Sequence, residues 1–160
     1  GEPIPTLDAL LAEIAGRVPL ICEIKSGFDD DMRLADRAAE IARLYDGPLA
    51  FKSFDPEVIA HLRAAGVARP LGIVAEADYD DPYFAALTPA RKRDCAAFLH
   101  IGRTRPDFLS WFVDDLPHAT PTLLRALGLK PVMAWTVRRP EQWAAVRAYA
   151  DQAVFEGEPG

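Results

Sequence analysis

The sequence predicts an α/β fold made of parallel β-α units. Three observations carry this. Short apolar runs alternate with helix-like runs from end to end. The helix-like runs start at proline and stop at glycine. The apolar runs close on polar or aromatic residues.

Proline is abundant, at 14 residues in 160, against a usual share of roughly 5%. Asp55-Pro56, Thr88-Pro89 and Thr120-Pro121 read as a helix cap followed by the first helical residue, where a missing N–H costs nothing. Arg139-Pro140 is a weaker start. Gly16, Gly47, Gly66, Gly102 and Gly128 each follow a helix-like run, as a left-handed C-terminal residue would. These marks predict helices over 7–15, 31–46, 56–65, 89–101, 121–127 and 140–150. Leu7, Leu10, Leu11 and Ile14 make a helical stripe in the first, as do Leu34, Ala38, Ile41 and Leu44 in the second. The runs between them predict strands over 20–25, 49–54, 71–75, 107–111, 132–137 and 153–156. Six such units suit either an open doubly wound sheet or most of an eight-stranded barrel with two units missing. Residues 1–160 read as one domain.

Composition narrows the function. Hydrophobic residues make up 50% and charged ones 26%, as in a soluble globular chain. The formal net charge of -6 argues against a nucleic acid or an anionic membrane as partner. No apolar run approaches the ~18 residues of a membrane span. Cys22 and Cys95 form neither a C-x-x-C pair nor a disulfide framework, which suggests a reducing, cytoplasmic compartment. The chain has no starting Met and reads as a piece of something longer. No glycine-rich nucleotide turn is present.

In parallel β-α folds the working residues sit at the C-terminal ends of strands. Strand alternation puts Glu23 and Lys25 on one face. A buried carboxylate and ammonium are costly unless paired or used. They read equally as a metal ligand beside a phosphate-binding lysine and as a structural ion pair. Ser53 could meet an oxyanion, and Asp55 is first of all a helix cap. Trp135 could wall a pocket or pack in the core, and Ser110-Trp111 is a weaker case of the same kind. His61 and His100 read as surface or packing residues, and His118 as a loop residue. The acidic stretch 76–88 is the one long loop. No metal-binding cluster has the right spacing.

Taken in order, Pro5-Thr6-Leu7-Asp8, Leu20-Ile21-Cys22-Glu23-Ile24-Lys25, Ser53-Phe54-Asp55-Pro56 and Ala134-Trp135-Thr136-Val137 resemble the glycerophosphodiester phosphodiesterase family. The resemblance runs along essentially the whole chain and matches that family's C-terminal three-quarters. It implies a TIM-type (β/α)8 barrel, of which this chain carries about six units, strands 3–8. It implies hydrolysis of a small-molecule glycerophosphodiester to an alcohol and glycerol phosphate, with a divalent ion, magnesium or calcium. Glu23 falls on the metal-ligand position and Lys25 on the catalytic lysine beside the phosphate. Ser53, Phe54 and Trp135 fall on the substrate-binding mouth. The family's H-R-G, E-N-T, E-x-D and H-D motifs are absent from these residues. Its closing T-D-x-P is replaced by Phe155-Glu156-Gly157-Glu158-Pro159. The fragment alone is therefore expected to be inactive. Two other readings stand beside this one. Lys25 could form a Schiff base in an aldolase-like barrel. Or an incomplete barrel could be a binding module that closes its open edges with a second copy.

Overall fold

The structure is a computed structural model and describes residues 4–129 and 131–157. Glu158 and Pro159 lie outside the described residues. Six strands form one sheet: β1 (Leu20–Glu23), β2 (Leu49–Ser53), β3 (Leu71–Ala75), β4 (Phe108–Phe112), β5 (Val132–Val137) and β6 (Gln152–Phe155). Every neighbouring pair is parallel, and the spatial order is the chain order. A doubly wound sheet reverses its order at a switch point. This one never does, and it curls as part of a barrel.

The helices are α1 (Leu7–Ile14), α2 (Arg33–Arg43), α3 (Pro56–Ala64), α4 (Pro89–Ala96), α5 (Ile101–Thr104), α6 (Ala119–Ala126) and α7 (Gln142–Tyr149). Single 3₁₀ turns cover Pro82–Phe84 and Val113–Asp115.

Alternation along the strands divides the sheet into two unlike faces. Leu49, Phe51, Leu71, Ile73, Leu109, Trp111 and Val132 share the outer face, and all belong to one buried cluster with Ala35, Val58, Ile59 and Leu62 of α2 and α3. The amphipathic helices bury their stripes there. The inner face carries Glu23, Lys52 and Ser110 instead, and Glu23 and Lys52 are direct register partners. The apolar core thus lies outside the curl, and the polar residues lie inside it.

Two predicted caps form as expected. Asp55 accepts from Glu57 N at 3.0 Å and Thr88 from Arg91 N at 3.3 Å. The third differs. His118, not Thr120, caps α6, its Nδ1 accepting from Thr120 N at 3.2 Å. Pro121 then falls within the first turn, where its missing N–H is still harmless. The predicted helix over 89–101 splits into α4 and α5, because Phe98 is left-handed (φ 56°) and cannot continue a helix. The final helix starts at Gln142, after Pro140, whose N-terminal neighbours Arg138 and Arg139 donate their backbone N–H to Gln142 Oε1.

Glycine matters most inside β3. Gly72 pairs with Phe108 across the ladder, and the Phe108 ring occupies the space a Cβ would need. Gly102 lies in α5 with open space around it. Gly72→Ala should therefore destabilise the fold by about 1–3 kcal/mol through overpacking. Gly102→Ala should be neutral or stabilising by about 0.5–1 kcal/mol. Urea unfolding of the two variants checks this, and equal midpoints would contradict the Phe108 packing.

Candidate functional site

The C-terminal ends of the strands surround an open hollow of about 630 Å³. Its wall follows from parity. Counting two residues at a time along the inner face leads from Glu23 to Lys25, from Lys52 to Phe54, from Gly72 to Glu76, from Ser110 to Phe112 and from Met133 to Trp135. Lys25, Phe54, Glu76, Phe112 and Trp135 all line the hollow, one from the end of each of β1 to β5. The loop over 76–88 closes one side with Asp78, Asp80, Asp81, Tyr83 and Phe84, and Asp115 stands beside Glu76.

Glu23 sits between two lysines. Lys25 Nζ donates to Glu23 Oε1 at 2.6 Å. Lys52 Nζ lies 3.8 Å from Glu23 Oε2 and donates to Ser110 Oγ at 3.3 Å. The two lysines differ in environment. Lys52 is only 7% exposed. Burial pushes its ammonium below the usual lysine range, Glu23 resists this, and the Lys25 charge adds to it. The Lys25 side chain is 65% exposed. Partial burial would lower it too, but the hydrogen bond and charge of Glu23 outweigh that and hold it above the usual range. Lys25 is therefore a fixed cation at the mouth, 5.7 Å from the Phe54 ring centroid and 5.6 Å from that of Tyr83.

The aromatic wall is continuous. Phe54 meets Trp135 edge-on at 5.2 Å, and Phe112 lies 5.0 Å from Trp135. Trp135 Nε1 donates to Ser110 O at 2.9 Å, which fixes the indole against the wall. Tyr83 packs on Phe54 at 5.5 Å.

Glu23, Lys25, Phe54 and Trp135 are brought together as expected; Ser53 is not. Its side chain is fully buried, donates to Ile24 O at 2.8 Å and accepts from Asp55 N at 3.1 Å. It joins β1 to β2 below the mouth. Asp55 is likewise buried, accepting from Ser26 Oγ at 2.6 Å and from Arg91 at 3.2 Å. Trp111 belongs to the other face, where it stacks on His118 at 4.9 Å; the mouth residue of that strand is its neighbour Phe112. None of the histidines lines the hollow. His61 pairs with Asp36 at 2.6 Å, and buried His100 is pushed down to about 4 by burial.

Sequence reasoning missed Lys52, Glu76, Tyr83 and Phe112. The signal for Glu76 and Phe112 was parity at the strand ends. Tyr83 is placed by its loop: Asp81 Oδ1 accepts from Tyr83 N at 2.8 Å, and Asp115 Oδ2 accepts from Ala77 N at 2.7 Å. A divalent cation of the expected kind takes six or more oxygen ligands. Among the described residues no group of three or more His, Cys, Asp or Glu is placed to hold an ion, and Glu23 is a single carboxylate facing two ammonium groups. These residues do not make a metal site by themselves.

Glu76 is raised to about 7, by burial first and then by Asp115, Asp81 and Asp78. The fold favours its neutral form. Its contribution to stability is complete below the ordinary value of 4.5 and is lost as pH rises through about 7. Thermal melts should therefore show Glu76→Gln gaining on the parent protein between pH 5 and pH 8. Parallel pH profiles for the two proteins would contradict the placement of Glu76.

No protein-family model matches the sequence, and no curated relative matches it. Solved structures do. A glycerophosphodiester phosphodiesterase from Thermotoga maritima is 17% identical, with a TM-score of 0.65 over 94% of this chain and 59% of its own. One from Parabacteroides distasonis ATCC 8503 is 16% identical, with a TM-score of 0.68 over 97% and 61%. A phosphodiesterase from Oleispira antarctica, solved with its product sn-glycerol-3-phosphate, is 18% identical, with a TM-score of 0.68 over 94% and 57%. The chain thus spans a little over half the length of the structures it matches. The likeness establishes the fold: these six β-α units are built as a large part of the barrel seen in glycerophosphodiester phosphodiesterases.

Proposed function

We propose that the protein carrying this chain hydrolyses glycerophosphodiesters to an alcohol and glycerol phosphate, and that this chain supplies the lysine-bearing, aromatic wall of the active site. The observation that carries the proposal is the Glu23–Lys25 pair at 2.6 Å, held at the mouth beside Phe54 and Trp135. Cleaving a phosphodiester needs the phosphate charge neutralised and a proton delivered to the departing oxygen. Lys25 serves the first need. Its ammonium faces the hollow, and Glu23 keeps it protonated. That same protonation disfavours Lys25 as a Schiff-base amine, which must be neutral to attack a carbonyl.

Lys52 and Ser110 sit on the inner face behind Glu23, with Lys52 Nζ 3.8 Å from its Oε2. Phe54 and Trp135 exclude water and flank the glycerol or alcohol part. Ser53 acts on the mouth from beneath, through its bond to Ile24 O. A divalent ion, magnesium or calcium, would supply further charge neutralisation when bound. Glu23 is the carboxylate this chain would offer it, with the other donors and the proton-transferring histidines coming from residues beyond the 160.

In the whole protein, Glu23→Gln and Lys25→Met should each lower kcat/KM by about 100-fold. Release of glycerol phosphate measures this. Exhaustive chelation should abolish turnover, and the 160-residue piece alone should show none. Full activity of Glu23→Gln would falsify the assignment of the pair.

A further inference from the structure

Lys25 lies two residues beyond the end of β1, on an exposed side chain. A long, flexible stem places its charge only as well as its root is fixed. Both neighbours of Lys25 are tied to residues 53–55 at the end of β2. On one side, Ile24 O accepts from Ser53 Oγ at 2.8 Å, and Ser53 Oγ accepts in turn from Asp55 N at 3.1 Å. On the other side, Ser26 Oγ donates to Asp55 Oδ2 at 2.6 Å. Lys25 is thus bridged between two sets of bonds that converge on Asp55.

Asp55 is more than a helix cap. Capping α3 takes one oxygen: Oδ1 accepts from Glu57 N at 3.0 Å, and the same oxygen meets Arg91 Nη2 at 3.2 Å. Thr88 caps α4 with a single hydroxyl. The second oxygen of Asp55, on a fully buried carboxylate, serves the loop that follows Lys25. That loop is held further along. Ser26 Oγ accepts from Phe28 N at 2.9 Å, and Arg91 Nη1 donates to Phe28 O at 3.0 Å. These bonds hold buried Phe28 left-handed (φ 57°), a conformation that a bulky residue keeps only when its surroundings impose it. The Phe28 ring meets that of Tyr83 at 5.8 Å, and the Lys25 ammonium lies 5.6 Å from the same Tyr83 ring.

We infer, resting on the phosphodiesterase reading above, that Asp55 is a positioning residue for Lys25: through Ser26 it sets the loop that carries the lysine, and so sets where the ammonium meets a bound phosphate. Asp55 touches no substrate. It lies buried beneath the mouth, and its effect reaches the phosphate through Lys25 alone.

The test pairs a binding measurement with a spectroscopic one, on the purified parent protein, Ser26→Ala and Ser26→Thr. Ser26→Ala removes the bond to Asp55 Oδ2 and leaves the α3 cap on Oδ1. Calorimetric titration with sn-glycerol-3-phosphate should show it binding about fivefold more weakly, within the coupling of residues that share one hydrogen-bond network. Ser26→Thr keeps the hydroxyl and should bind within about twofold of the parent. The side-chain Cε–H resonance of Lys25, assigned by its disappearance in Lys25→Met, is shifted by the nearby Tyr83 and Phe54 rings. It should move in Ser26→Ala and stay in place in Ser26→Thr. Parent-like binding by Ser26→Ala would overturn the inference. So would weaker binding with an unmoved Lys25 resonance, the result of a merely structural role. Either outcome leaves the phosphodiesterase reading intact. If Lys25→Met binds sn-glycerol-3-phosphate as the parent does, or the parent does not bind it, that reading itself falls, and this inference falls with it.

Discussion

One carboxylate held between two lysines organises the open end of this molecule. Glu23 meets exposed Lys25 on one side and buried Lys52 on the other. Three charged groups at a strand end are costly to desolvate unless each has a partner. Here Lys52 also reaches Ser110, and Lys25 also reaches the rings of Phe54 and Tyr83. The cluster links β1, β2 and β4 across the inner face of the curled sheet.

Parity then does the rest. The outer face of the central strands is apolar and packs against helices, save for Ser53 at the end of β2. The inner face must therefore carry whatever the outer face cannot, and the last inner position of each strand opens onto the hollow. Lysine, phenylalanine, glutamate, phenylalanine and tryptophan take those positions in turn. A one-residue slip in any strand would bury its mouth residue and expose its core residue. The tight crossing of Phe108 over Gly72 helps hold β3 and β4 in register.

Much of this was legible from residue order. Alternating apolar and helical runs, with Asp55-Pro56 and Thr88-Pro89 as starts, place the six strands within a residue or two of where they lie. Glu23 and Lys25 were legible because alternation puts them on one face, Trp135 because it lies near the end of its strand, and Phe54 only through the family resemblance. Ser53 was misplaced because it is one residue out of phase and faces the outer side, where its hydroxyl bridges two strands. Trp111 has the same outer parity, and of its two readings the structure shows core packing. Glu76 and Phe112 needed exact strand ends, which depend on the ladder, and local sequence defines those poorly. Lys52 needed knowledge of its burial. Tyr83 depends on an acidic loop whose aspartates fold back on backbone N–H groups, and neither composition nor periodicity reports that.

The account depends on a phosphate meeting Lys25 at the mouth. The most direct measurement is a ³¹P NMR titration of sn-glycerol-3-phosphate with the protein, repeated with Lys25→Met. The account predicts a saturable shift or broadening of the phosphorus resonance with the parent protein and its loss in the variant. A resonance that responds equally to both proteins would place the phosphate elsewhere and contradict the central assignment.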